Sequence, residues 1–218
     1  MMKIKIFFIP FLGGQYGPKY PQARSVVQTE KTPKLLGSEL IPKIIRALDE
    51  NRVIEFIYQR FDDTTQKNVR LHPYLLKEDR HRWYIIGKHT KREDPVTTYA
   101  LDRMNSIQLL ETRFQPITFD FDEYFRYSFG ITVTKNDPIE VILSFTPLQG
   151  KYLKSLPIHS SQKILVDTVT EFRISLLVKP SWEFYEKLLG YGETVKVVAP
   201  QTIIDEMRKK LTAILRIY

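Results

Sequence analysis

Between Val53 and Leu110, five short runs of β-branched and aromatic residues succeed one another with only turn-forming residues between them. They are Val53 to Arg60, Val69 to Leu76, Trp83 to Lys88, Val96 to Leu101 and Ser106 to Leu110. Such residues favour pleated, half-buried strands. Asp62-Asp63-Thr64-Thr65 and the charged stretch Lys77 to His81 supply turn chemistry between them. Short strands at this spacing predict a small five-stranded β-barrel, which removes its exposed edges by closing. A helix precedes it. Ser38 is placed to cap it, Leu40, Ile41, Ile44, Ile45 and Leu48 recur at helical spacing, and Pro42 falls in the first turn, where proline is tolerated.

Beyond residue 112 the order of elements changes. Phe119 to Phe129 predicts a short connecting helix rich in aromatic residues and bounded by Gly130. Ile139, Val141, Leu143 and Phe145 alternate as a strand, and Pro147 to Leu156 suits a helix. Ile164 to Val169 and Phe172 to Val178 form a strand pair. Ser181 is placed to cap a helix that stops at Gly190 and Gly192. A strand over Thr194 to Val198 and a helix from Gln201 to about Arg216 complete a β-α-β-β-α-β order with a terminal helix. The fold class expected is therefore α+β: a small barrel, then a ferredoxin-like domain. The expected boundaries are 1–37 (irregular basic lead-in), 38–112 (helix and barrel), 113–137 (connector) and 138–218 (second domain). A chain of 218 residues accommodates two such domains.

Composition excludes several kinds of chemistry. With no cysteine there is no disulfide framework, thiolate zinc site, iron–sulfur cluster or cysteine nucleophile. No run approaches the apolar length of a membrane span. The lysine-led start, Met1 to Leu12, is interrupted by Pro10 too soon for a secretory signal, so a cytoplasmic location is expected. The net charge of +8 is unevenly spread. Residues 1–43 hold seven basic and two acidic side chains, whereas 44–112 hold twelve and eleven. Overall basicity is thus poor evidence for nucleic acid, and any such argument must rest on local geometry.

No enzyme is expected either. Gly13-Gly14-Gln15-Tyr16-Gly17 lacks the spacing and the lysine of phosphate-cradling loops. His159-Ser160-Ser161 are chain neighbours without a nucleophile elbow, and His72, His81 and His89 lack metal-ligand spacing. No cofactor or metal is implied by these residues.

The remaining signal is strand polarity. In the second run Val69, Leu71, Pro73 and Leu75 share one face and Arg70, His72 and Tyr74 the other. In the third, Arg82, Tyr84 and Ile86 oppose Trp83, Ile85 and Gly87, which makes Trp83 a core residue. Tyr58 and Arg60 lie on one face of the first run, and Arg103 comes directly after the fourth. Guanidinium forks hold phosphate oxygens and aromatic faces stack bases, so arginine interleaved with tyrosine fits a nucleotide or oligonucleotide site. The same pattern also describes a solvated sheet face with tyrosines covering the core.

Arg82-Trp83-Tyr84-Ile85-Ile86-Gly87 resembles the tripeptide core of the WYL domain, with Ile85 in place of its leucine. Val53 to Tyr58, Val69 to Lys77 and Ala100-Leu101-Asp102-Arg103-Met104 are similar to the family's flanking strands and its Leu-Asp-Arg signature. Phe129-Gly130-Ile131, His159 to Gln162 and Leu189 to Gly192 resemble the extension that commonly comes after WYL domains. The resemblance covers about residues 32–218.

It implies an Sm/SH3-like barrel acting as a ligand-sensing module of a bacterial transcriptional regulator. The implied ligand is a nucleotide or a short single-stranded nucleic acid, and the ferredoxin-like extension implies a homodimer. Tyr58, Arg60, His72, Arg82 and Arg103 carry over as ligand-binding positions. Arg70 and Tyr84 are added by the strand-face argument alone. His72 could donate to a phosphate or simply bond a neighbouring carbonyl. Residues 1–37 show no helix-turn-helix, so duplex DNA is an expected partner only if a reader domain is supplied elsewhere. The alternative is an accessory module that docks onto a nucleic-acid-processing effector.

Overall fold

Residues 35–94 and 96–218 are described in the computed structural model of the chain; most of the basic lead-in lies outside them. Within them the chain divides into two units, split after Ile117.

The first unit opens with helix α1 (Ile41–Asp49), whose apolar stripe buries Ile44 and Ala47. Ser38 does not cap it. Leu40 occupies the cap position, Ser38–Leu40 form a 3-10 turn, and no side chain closes the helix start. Proline in the first turn leaves one fewer donor to satisfy, and the Leu40 N–H bonds to the Gly37 carbonyl instead. The helix ends at Glu50, and Asn51 takes φ 52°, the left-handed turn that asparagine tolerates.

Five strands come next: β1 (Arg52–Tyr58), β2 (Lys67–Asp79), β3 (Arg82–His89), β4 (Thr97–Ala100) and β5 (Met104–Arg113). They form one antiparallel sheet in the order β4-β3-β2-β1-β5. No ladder joins β4 to β5, so hydrogen bonds do not close the expected barrel; a 3-10 turn, Leu101–Arg103, links the two edges along the chain instead.

The β2–β3 turn is a two-residue hairpin, with Asp79 paired to Arg82 and both Arg80 and His81 at positive φ. That geometry matches the right-handed twist of the strands. At the β1–β2 turn the Asp63 carboxyl accepts from the Thr65 N–H at 2.9 Å and from Lys67 at 3.0 Å, which draws its pKa down to about 2. The core under the sheet gathers Ile44, Ile54, Phe56, Leu71, Ile85 and Leu101, with Trp83 packed half-buried against it. Burying each of these large apolar side chains contributes about 1.5–3 kcal/mol.

The second unit contains α2 (Phe121–Phe125), β6 (Ile139–Phe145), α3 (Pro147–Ser155), β7 (Lys163–Asp167), β8 (Phe172–Val178), α4 (Trp182–Leu189), β9 (Val195–Ala199) and α5 (Gln201–Leu215). Its four strands lie antiparallel in the order β7-β8-β6-β9. That order and the β-α-β-β-α-β sequence of elements are those of the split-βαβ arrangement. Val141, Leu143, Ile174, Leu176, Phe184 and Leu188 fill its core.

The stretch expected as a connector contributes to this core through Phe129. It is pinned to α4 by Glu183, whose buried carboxylate accepts from the Thr132 hydroxyl at 2.6 Å and the Thr132 N–H at 3.3 Å. Ser181 stands at the N-cap of α4, yet its buried hydroxyl makes no capping bond.

Gly87 shows how tightly β2 and β3 approach. A Cβ there would lie 2.2 Å from the His72 carbonyl oxygen, which is backbone and cannot swing aside. Gly87→Ala is expected to destabilise the chain by about 2–3 kcal/mol in urea unfolding. Gly190→Ala, whose Cβ would meet nothing closer than 3.5 Å, should leave the midpoint unchanged.

Candidate ligand site

The ladder between β3 and β4 ends at Tyr84 opposite Ala100. Continuing that register by two residues sets Arg82 opposite Asp102, in the 3-10 turn just past β4. Asp102 therefore stands between two guanidinium groups: its Oδ2 is 3.5 Å from Nη1 of Arg82, and its Oδ1 accepts from Nε of Arg103 at 3.5 Å. The Asp102 side chain is 15% exposed, Arg103 24% and Arg82 55%. At 3.5 Å these are loose contacts, well beyond the 2.7–2.9 Å of a strong charge-assisted bond. The Arg103 guanidinium also lies over the Phe61 ring, 4.9 Å from its centroid. The Gln59 N–H donates to the Arg103 carbonyl at 3.2 Å, which holds the end of β1 beside the turn.

Tyr84 borders this cluster. Burial raises its hydroxyl pKa, and the charges of Arg82, Asp79, Arg103 and Asp102 all reach it. Its side chain is only 8% exposed, so it is chiefly a wall of the sheet.

The other expected positions lie apart. Tyr58 is half-buried against the core, edge-on to Tyr99 at 4.9 Å and Phe56 at 6.3 Å. Tyr99 itself is buried, with a hydroxyl that has no partner. Arg60 points to solvent and forms two short bonds to Asp62, at 2.8 and 2.6 Å. Arg70 is opposite Glu55 across the β1–β2 ladder, and its Nε donates to that carboxyl at 2.6 Å. His72 stacks on Phe114 with centroids 4.8 Å apart and planes 5° from parallel, and Tyr74 meets the same ring edge-on at 5.7 Å.

Of the seven expected residues, then, Arg82, Tyr84 and Arg103 form one cluster; Tyr58 and Arg60 flank the β1 end that bonds to its turn; Arg70 and His72 occupy a different stretch of β2. Asp102, Phe61 and Phe114 were not expected. Asp102 adjoins Arg103 in the Leu-Asp-Arg signature, which could have flagged it. Phe61 sits among turn residues where no periodicity applies. No group of three metal-ligating side chains occurs among the described residues, and no described helix is long and apolar enough to cross a membrane.

The WYL domain model matches residues 39–109, and the WCX domain model matches residues 137–215. The chain is a WYL-domain protein with a C-terminal WCX extension. Among solved structures, proteasome accessory factor B/C (PafBC) of Arthrobacter aurescens is 19% identical, with a TM-score of 0.40; the match covers 84% of this chain and 28% of that one. A CRISPR Cas-related protein is 12% identical, with a TM-score of 0.50; the match covers 84% of this chain and 52% of that one. At such identity the second likeness is one of fold alone. This chain matches only 28% and 52% of the lengths of those two proteins. No curated protein matches it.

Three histidines of this WYL–WCX chain couple its stability to pH. Burial lowers the pKa of His72, and Lys88 opposite lowers it further. Burial also lowers that of His89, with Arg92 and Lys91 adding to it. Burial lowers that of His159, partly offset by its bond to the Ser128 carbonyl. In His89 and His159, Nδ1 accepts a backbone N–H, from Lys91 at 2.9 Å and Ser161 at 3.1 Å, so protonation there breaks a bond. A histidine with a folded pKa below its ordinary 6.5 stabilises the fold while neutral. That contribution is complete above about pH 6.5 and is lost as pH falls through the folded value. Urea midpoints should therefore decline from about pH 7 to pH 5, and His72→Phe, which keeps the stack on Phe114, should flatten part of that decline.

Proposed function

We propose that this chain is a ligand-sensing regulatory module that binds a nucleotide or a short single-stranded nucleic acid at Arg82 and Arg103. The observation that carries this reading is the pair of guanidinium groups converging on the single carboxylate of Asp102 at 3.5 Å each. Asp102 occupies the place of an anion without the short bonds that would make it a good one. An incoming phosphate offers oxygens that guanidinium forks hold in pairs, and the terminal phosphate of a nucleotide adds a third oxygen and more charge.

On this reading the five-stranded sheet is a small Sm-like barrel held open at the β4–β5 seam, and the 3-10 turn at that seam is where the ligand docks. The WCX half serves as a homodimer contact, and the chain works in the cytoplasm without turnover of its ligand. Duplex DNA is read only if a separate domain supplies the reading element. A second reading, an accessory module docked on a nucleic-acid-processing effector, draws on the apolar residues exposed in the second unit, among them Ile164, Leu165 and Trp182.

Fluorescence anisotropy with labelled short DNA and RNA strands across a salt series tests the choice. Salt-sensitive binding lost in the Arg82→Ala/Arg103→Ala double variant is expected, with each lost phosphate contact reducing the salt slope by about 0.7. Asp102→Asn should tighten binding roughly two- to fivefold, because it removes a competing partly exposed ion pair. Salt-indifferent capture of a protein partner with no strand binding would favour the accessory module.

A further inference from the structure

Phe61 is not a core residue. It lies just past β1, at the start of the β1–β2 turn, and is 73% exposed, so its ring contributes little to the core. An isolated exposed apolar residue is ordinary on a protein surface. This one differs in its neighbour: Arg103, whose guanidinium sits over the ring at 4.9 Å and which also faces Asp102. Its exposure leaves much of the ring open to solvent. An open aromatic face beside a guanidinium pair is the arrangement that accepts a base joined to a phosphate, since every base has a π-face and stacks without regard to sequence.

We infer that Phe61 is the base-stacking platform of the Arg82–Arg103 site, taking the nucleobase of the nucleotide or strand whose phosphate the two arginines hold. This rests on the anion-binding reading of the arginine pair and adds to it the residue that takes the base. The base lies on Phe61 while its phosphate displaces Asp102 from Arg103, and the two contacts share one guanidinium. Arg60 does not compete for the ring, because Asp62 holds it in two short bonds. The site reads a stacked base by its face, so it discriminates little among bases and strongly against strands that lack them.

The test uses the full chain and two fluorescein-labelled probes of equal length, an oligothymidylate and an abasic strand with the same phosphates. Phe61→Ala should weaken oligothymidylate binding roughly tenfold to a hundredfold, the worth of one lost stack. Binding of the abasic strand should be unchanged. Phe61→Trp should restore or exceed the original affinity, and since the side chain is largely exposed both variants should unfold at the wild-type urea midpoint. Equal affinity of Phe61→Ala and wild type for oligothymidylate, with binding still lost in Arg82→Ala/Arg103→Ala, would overturn the stacking role and leave the arginine site intact. Equal weakening on both probes would also overturn it, making Phe61 merely a shelf that positions Arg103. Failure of the wild type to bind either strand would remove the arginine reading and this inference together.

Discussion

The WYL half depends on one long strand being shared between two partners. β2 pairs with β1 through Lys67 to Leu71 and with β3 through Leu71 to Asp79, so only its middle serves both ladders. Just past the last β1 pair comes Pro73, opposite Gly87, and then a register shift before Leu75. Proline cannot donate to a ladder and is tolerated at edges and bulges, so its place is where β2 has left β1. Gly87 completes the bend, because its missing side chain lets β3 lie against the His72 carbonyl. A bulge increases twist and re-aims the strand beyond it. In this sheet the re-aimed segment is the hairpin that carries Arg82.

Most of the element order was legible in the sequence, because strands and helices obey local periodicity and turn chemistry. The alternation of Val69, Leu71 and Pro73 with Arg70 and His72 placed the buried and outer faces of β2 correctly. The illegible part depended on register. Arg70 stands opposite Glu55 and is ion-paired to it, and nothing in either strand alone states that pairing. The ends of helices failed for a related reason. Ser38 and Ser181 are the residue type that caps, but in neither case does a hydroxyl accept the expected N–H. At α1 the approach of Gly37 to Leu101, with φ 84° and no space for a Cβ, holds the chain in a tighter 3-10 turn.

The WCX half shows the same limit at larger scale. Residues 113–137 looked like connecting chain because their apolar residues keep no simple period. Phe129 nevertheless enters the core, stacked edge-on to Phe184 at 5.5 Å and nearly parallel to His159 at 5.9 Å. One carboxyl oxygen of the buried Glu183 then accepts from the backbone and the hydroxyl of Thr132. A buried polar side chain is tolerated where it bonds groups that would otherwise be orphaned. Such long-range compensation has no signature in a window of neighbouring residues.

The candidate site gains its precision from the same kind of long-range anchoring. Asp102 and Arg103 belong to a three-residue turn whose first member, Leu101, is fully buried in the core of the first unit. Gly37 presses on the Leu101 backbone from one side, and the Gln59 N–H grips the Arg103 carbonyl from another. A turn held at three points loses little freedom when a ligand arrives, and binding then costs less ordering entropy. Arg82 is different: it is more than half exposed at the mouth of a hairpin and has a side chain free to adapt. One well-anchored guanidinium beside a more exposed one is the arrangement that, on the proposed reading, would accept phosphates that vary in position from one nucleotide to the next. A site made of two fixed forks would instead select a single geometry. On the proposed reading, the anchored turn would let Arg103 fix the first phosphate contact and the more exposed Arg82 close on whatever lies beside it.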